Sequence, residues 1–200
     1  MRRSRVVRVN EFATRSDHAD WMVIDSELLR QKARDAAQNA RRREIHFFHH
    51  GDDDVLHRML NCLQPGTYIR PHRHLDPPKD ESFLVIQGAI GFVTFDDRGN
   101  TSGDRFALID PRKGFYGVDA RAGVWHTFLA LEPDTVVFEV KAGPYARASD
   151  KDFASWAPAE GTLTGVEWLM DLEDRFRSIW KMPSRGWDAQ ASPSPTKSAS

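Results

Sequence analysis

The chain has 200 residues, 40% of them hydrophobic and 28% charged, with a formal net charge of −1. That size and balance suit one globular domain with appendages. They exclude a global field that would recruit nucleic acid or an anionic membrane, and no run approaches the roughly 18 apolar residues that read as a bilayer span.

The N-terminal residues 1–24 have no clear period. Arg2, Arg3, Arg5 and Arg8, with Arg41, Arg42 and Arg43, make the first part of the chain basic. A solvated basic face is the expected reading of such a cluster. Asp25 or Ser26 can cap a helix that carries Leu28, Leu29, Ala33, Ala36, Ala37 and Ala40 at three- and four-residue spacing. The helix is expected to end at the arginine run, where positive charge complements its C-terminus.

From residue 45 the pattern becomes one of short β-branched and aromatic runs. These are 45–49, 55–63, 67–74, 82–87, 90–96, 106–109, 116–119, 126–130 and 135–141, separated by Gly, Pro and Asp turns. Many short strands at regular spacing predict an all-β sandwich or barrel. The run Phe83-Leu84-Val85-Ile86 is apolar at every position, which predicts burial on both faces. Cys62, the lone cysteine, lies in such a run and reads as a buried, inert thiol. Residues 146–163 read as irregular, with Phe153 and Trp156 available to pack back onto the strands. A second helix is expected over 165–181, and the Ser/Pro-rich stretch 191–200 reads as disordered. Without an apolar leader segment or a disulfide pair, the expected location is the cytoplasm.

The chemistry concentrates at His72, His74, Glu81 and His126. Two histidines at i and i+2 of an extended strand share a face and stand about 6.5–7 Å apart. Pro77 and Pro78 break the strand after His74, so the chain loops and returns with Glu81 opposite the pair. Gly123-Val124-Trp125-His126 supplies a third imidazole after a glycine turn. Three nitrogens and a carboxylate suit one divalent Fe, Mn, Ni, Co or Zn ion. Glu139 and Lys141 share one strand face; if that face lines the interior, Lys141 can bind an anionic group and Glu139 can accept a hydrogen bond. Tyr145 is a third catalytic candidate. His46, His49 and His50 form a second cluster without a carboxylate at matched spacing, so no second metal is expected there. Asp52-Asp53-Asp54 reads as a solvated loop.

Gly66, His72, His74, Glu81 and Gly88 fall on the fixed positions of the first cupin motif, and Gly123 and His126 on the core of the second. Arg121 and Ala130 stand where that second motif carries proline and asparagine. More specifically, the strings 58–74, 125–133, 138–145 and 150–158 resemble the WbuC-like cupin-fold metalloproteins. The resemblance implies a mainly β, RmlC-like jelly-roll barrel with flanking N- and C-terminal helices and one bound metal. It divides the chain into an N-terminal segment 1–44, a barrel 45–158, a helical extension 159–190 and a tail 191–200.

The expected function is a metal-dependent enzyme, isomerase/epimerase-like or dioxygenase-like, acting on a small polar substrate such as a sugar derivative, in surface-polysaccharide metabolism. The alternative is a non-catalytic module that binds or senses a small ligand. The expected partner is a small molecule, with a homodimer through an edge strand as a further option and neither nucleic acid nor membrane.

Overall fold

The computed structural model describes residues 4–18, 20–146 and 150–187. Arg2, Arg3 and the tail 191–200 lie outside them.

Among the described residues twelve strands form two sheets. The first carries seven strands: β1 (Arg5–Asn10), β2 (Ala13–Asp17), β3 (Arg43–Phe47), β4 (Leu56–Leu63), β11 (Thr135–Ala142), β6 (Glu81–Gln87) and β9 (Gly117–Ala120), in that spatial order. The second has five, in the order β12 (Asp152–Phe153), β5 (His72–Arg73), β10 (Trp125–Ala130), β7 (Ile90–Phe95) and β8 (Phe106–Ile109). The sequence crosses back and forth between them, giving a two-sheet jelly roll. The sheets face each other as an open roll, with β1, β9, β12 and β8 as edges, and do not close into the expected barrel.

Side-chain alternation sorts the residues between inside and outside. Leu63, Phe83, Val85 and Val137 of the first sheet meet Ile90, Phe92, Phe128 and Ala130 of the second in the core between the sheets. Helix α2 (Leu163–Ile179) closes the outer face of the second sheet with Leu169, Leu172 and Phe176 against Val93, Phe95, Phe106 and Leu129. Gly91 permits that approach, since a Cβ there would stand 2.6 Å from the Phe176 ring. At Gly88 the β6–β7 turn needs a φ of +77°, which explains the glycine of the first motif.

Helix α1 (Ser26–Gln38) starts at Asp25, whose carboxylate accepts from the Leu28 N–H at 3.0 Å. It packs Leu28 and Ala36 on Phe48, Leu60, Cys62 and Val136. The Cys62 thiol is buried there and pushed up to about 12, mainly by burial.

Four sequence expectations change. Residues 5–17 form a hairpin, and β2 then pairs parallel with β3. Helix α1 is the crossover that such a parallel pair requires. The helix has no basic residue in its last turn; Arg42 turns the chain at a φ of 55° and Arg43 opens β3. Of the run 67–74 only His72–Arg73 is strand, because Gly66 and Pro71 hold the preceding segment irregular. Leu84 and Ile86 are exposed at 53% and 44%, since α1 covers β3, β4 and β11 and leaves the outer face of β6 bare.

Candidate metal centre

Strand pairing brings the four predicted side chains together inside the roll. His126 on β10 lies opposite His72 on β5, and both point inward. Glu81 opens β6 on the facing sheet, with Lys141 beside it on β11. All four are buried: His72 3%, His74 2%, Glu81 3% and His126 2% exposed.

His72, Glu81 and His126 each offer one ligand atom, and these lie within 4.8 Å of one another. His74 approaches from the other side of the carboxylate, its Nε2 3.0 Å from Glu81 Oε1, while His126 Nε2 is 3.2 Å from Oε2. Neither approach has hydrogen-bond alignment: His74 Nε2, His126 Nε2 and Glu81 Oε2 are buried with no hydrogen-bond partner. Orphaned buried polar atoms are costly unless something else satisfies them. Imidazole nitrogens and a carboxylate oxygen brought this close, with no hydrogen-bond partner, are the donor types that a divalent transition-metal ion takes.

The outer hydrogen bonds fix the ring orientations. His72 Nδ1 is 3.0 Å from the Arg70 carbonyl and His126 Nδ1 2.9 Å from that of Val124. A carbonyl only accepts, so each Nδ1 carries the proton and each Nε2 keeps its lone pair for the interior. Burial, reinforced by the charge of Lys151, holds the His72 imidazole well below its ordinary range, hence neutral. Burial alone would raise the Glu81 carboxyl, but His126, His74 and Lys141 hold it well below the usual carboxylate range.

Around these four lies a polar network assembled by strand pairing and by Lys79 and Asp150, which lie outside the strands. Glu139 and Lys141 do face the interior, at 7% and 6% exposure. Lys141 Nζ lies 3.8 Å from Glu81 Oε1, 3.7 Å from Glu139 Oε1 and 2.9 Å from Asp150 Oδ2. Burial opposes its charge, yet Glu139, Glu81 and Asp150 raise its pKa above the ordinary lysine value. The Asn61 amide donates to Glu139 at 2.6 Å. Asp150 takes a second ammonium, Lys79, at 2.8 Å. Asn61, Lys79, Asp150 and Lys151 carry no local sequence signal; only strand register and the return of the chain at β12 bring them to the site. Tyr145 sits at the surface, 40% exposed, with its backbone N–H on the Asp52 carbonyl.

The second histidine cluster does not converge. His46 points to the α1 side, with Nδ1 2.8 Å from Thr14 Oγ1 and Nε2 2.8 Å from Ser16 Oγ. His49 turns elsewhere and stacks on His57 at 4.0 Å. Burial, then the charge of Lys32, lowers the His46 pKa to about 4. The unfolded chain therefore takes up a proton below about pH 6.5 that the folded chain refuses until about pH 4. The stability contributed by His46 is complete above pH 6.5 and lost as pH falls through 4, a swing of about 3 kcal/mol. Urea denaturation at pH 7 and 4.5 measures it; His46→Gln should flatten the decline, and an unchanged decline would contradict this account.

The basic N-terminal segment is partly neutralised within the fold: Arg8 pairs with Glu44 at 2.6 Å, and Arg41 and Arg43 share Glu160 at 2.9 and 2.6 Å. Among the described residues no helix is long and apolar enough to cross a membrane.

A family described as a domain of unknown function (DUF6016) matches residues 24–107. No protein of curated function matches the sequence. Among solved structures, KdgF from Halomonas sp. is 19% identical, with 65% of this chain and 90% of that chain covered, at a TM-score of 0.40. A cupin 2 domain-containing protein from Halorhodospira halophila is 16% identical over 66% and 81% of the two chains, at 0.41. An L-ribose isomerase from Cellulomonas parahominis, solved with L-psicose, is 17% identical over 56% and 69%, at 0.42.

Proposed function

We propose that this chain is a mononuclear metalloprotein with His72, His74, Glu81 and His126 as its ligands, acting as an enzyme on a small polar substrate such as a sugar derivative. The observation that carries the reading is the buried cluster of His72, Glu81 and His126, whose ligand atoms lie within 4.8 Å of one another between the sheets, with His74 Nε2 3.0 Å from Glu81 Oε1. A bound divalent ion would supply a Lewis acid that polarises a carbonyl or hydroxyl oxygen.

The chain's own residues do the rest. The Nδ1–H groups of His72 and His126 lock both imidazoles onto backbone carbonyls. Lys141 and Glu139 stand beside Glu81, where they can hold a substrate oxygen or hold a proton at Nζ or Oε1. Phe153, itself exposed, stands 6.0 Å from the His72 ring on the β5 side. The resemblance of residues 58–74, 125–133, 138–145 and 150–158 to WbuC-like proteins supports surface-polysaccharide metabolism as the setting.

Elemental analysis of protein purified without chelator tests the reading. We expect about one equivalent of Fe, Mn, Ni, Co or Zn per chain, and turnover of at least one member of a panel of free and nucleotide-linked sugars. Failure to retain any of the five ions after reconstitution would refute the metal centre; a full complement of ion with no turnover would refute the enzyme.

A further inference from the structure

Given the metal centre proposed above, we infer that His74 is its exchangeable ligand: the imidazole that leaves the ion when a substrate oxygen arrives, while His72, Glu81 and His126 hold on.

The four residues are not equivalent in position. The ligand atoms of His72, Glu81 and His126 lie within 4.8 Å of one another. His126 Nε2 meets one oxygen of Glu81, Oε2, at 3.2 Å, whereas His74 Nε2 meets the other, Oε1, at 3.0 Å. The rings of His72 and His126 are 4.7 Å apart between centroids. The His74 ring stands farther off, 5.3 Å from His72 and 6.3 Å from His126.

Their support differs in the same sense. His72 and His126 face each other across paired strands, and Nδ1 of each is tied to a backbone carbonyl, at 3.0 and 2.9 Å. Strand β5 ends at Arg73, so His74 lies just past the ladder. Its backbone is held, since the Gly123 N–H donates to the His74 carbonyl at 3.0 Å. Its ring is not: both nitrogens are buried, and neither has a hydrogen-bond partner among the described residues. An outer hydrogen bond orients a metal-bound imidazole and raises its basicity, and losing one costs about ten- to a hundredfold in metal affinity. His74 is the imidazole without that bond. It is therefore the most weakly held of the three, and it can turn about its side-chain torsions while the backbone stays fixed.

The place it vacates is the one a substrate can use. Glu81 Oε1, the oxygen beside His74, is also the oxygen that Lys141 approaches at 3.8 Å, and Glu139 lies 3.7 Å from the same ammonium. An oxygen that displaces His74 arrives beside Lys141, a donor, and Glu139, an acceptor, which suits a substrate with further hydroxyls. The His126 ring, by contrast, is backed by Phe92 and Phe83, at 5.6 and 6.1 Å between centroids. The exchange breaks the bond from the ion to Nε2 and forms one to an uncharged hydroxyl or carbonyl oxygen. No electron changes hands and no proton moves.

The test uses the full chain loaded with Co(II), whose visible absorption and paramagnetically shifted proton resonances report its ligands. Azide is the probe, a small ligand that needs a single position on the ion. In the parent, saturating azide should remove one of the shifted N–H resonances of the coordinated imidazoles and leave the others. His74→Ala should cost at least about tenfold less cobalt affinity than His72→Ala, the lower value of an outer hydrogen bond. It should also bind azide at least about tenfold more tightly than the parent, because no resident ligand has to leave first. Persistence of every imidazole resonance in the azide-saturated parent, a measurement that needs no variant, would overturn the exchange. So would a cobalt loss in His74→Ala as large as in His72→Ala, or azide affinity within about twofold of the parent at full cobalt occupancy. Failure of the parent protein to hold cobalt would instead remove the metal centre, and the exchange with it.

Discussion

His72→Ala and His126→Ala each reduce metal affinity at least about a hundredfold, while the protein keeps its circular dichroism spectrum and its cooperative unfolding. The size follows from what even the supporting hydrogen bonds of a metal ligand are worth, about ten- to a hundredfold, so that deleting a ligand itself costs no less. The fold survives because its core lies elsewhere. Phe83, Val85, Phe92, Phe128 and Val137 pack between the sheets; Phe92 and Phe83 also meet the His126 ring, at 5.6 and 6.1 Å between centroids, but each has further core neighbours, and α2 closes the second sheet through Phe176. The two histidines also face each other across a strand pair, His126 opposite His72, so the effects should be similar in the two variants. Equilibrium dialysis followed by elemental analysis measures the loss. Equal metal content in parent and variants would show that these nitrogens are not ligands.

Asp150→Ala destabilises the protein by about 3–5 kcal/mol, the penalty for breaking a buried ion pair from one side. Its carboxylate is 2% exposed and receives Lys79 at 2.8 Å and Lys141 at 2.9 Å. Without it, two ammoniums face each other in the interior, and only Glu139 and Glu81, at 3.7 and 3.8 Å from Lys141, remain to compensate. Burial works against the Asp150 charge, but Lys141 and Lys79 hold its carboxyl below the usual range, so it is an anion at neutral pH. Asp152→Ala is the control. That carboxylate is 48% exposed and meets Arg73 at the surface, so its loss should cost no more than about 1 kcal/mol. Urea denaturation of the two variants at pH 7 separates them; equal costs would mean that Asp150 does not anchor the two lysines.

The two predictions differ in what foresaw them. The pairing of His72 with His74 was argued from a strand that places i and i+2 on one face, yet β5 ends at Arg73 and His74 lies just past it, buried beside Glu81. Glu81 followed from a proline loop that had to return the chain. Asp150 was not legible: nothing in the local string marks an aspartate that will sit between two lysines, one 71 and one nine residues away. Its role exists only where β12 comes back to pair with β5. His46 illustrates the opposite error of emphasis. In the string it belongs with His49, but alternation sends it to the α1 side, where Thr14 and Ser16 of an unforeseen strand satisfy both its nitrogens.

Period and punctuation in the chain were enough to dictate a mainly β sandwich or barrel and a helix capped at Asp25 or Ser26, because these depend on backbone geometry and neighbours a few residues apart; the jelly roll was implied only by the cupin resemblance. The hairpin at 5–17 escaped that reading: its strands are polar, and its place beside β3 is secured by α1 and by the His46 contacts rather than by apolar alternation. Which face of β6 stays bare and which ammoniums share Asp150 were settled only by packing. Those outcomes depend on groups brought from distant parts of the chain into a medium of low polarity, where each buried charge needs a partner.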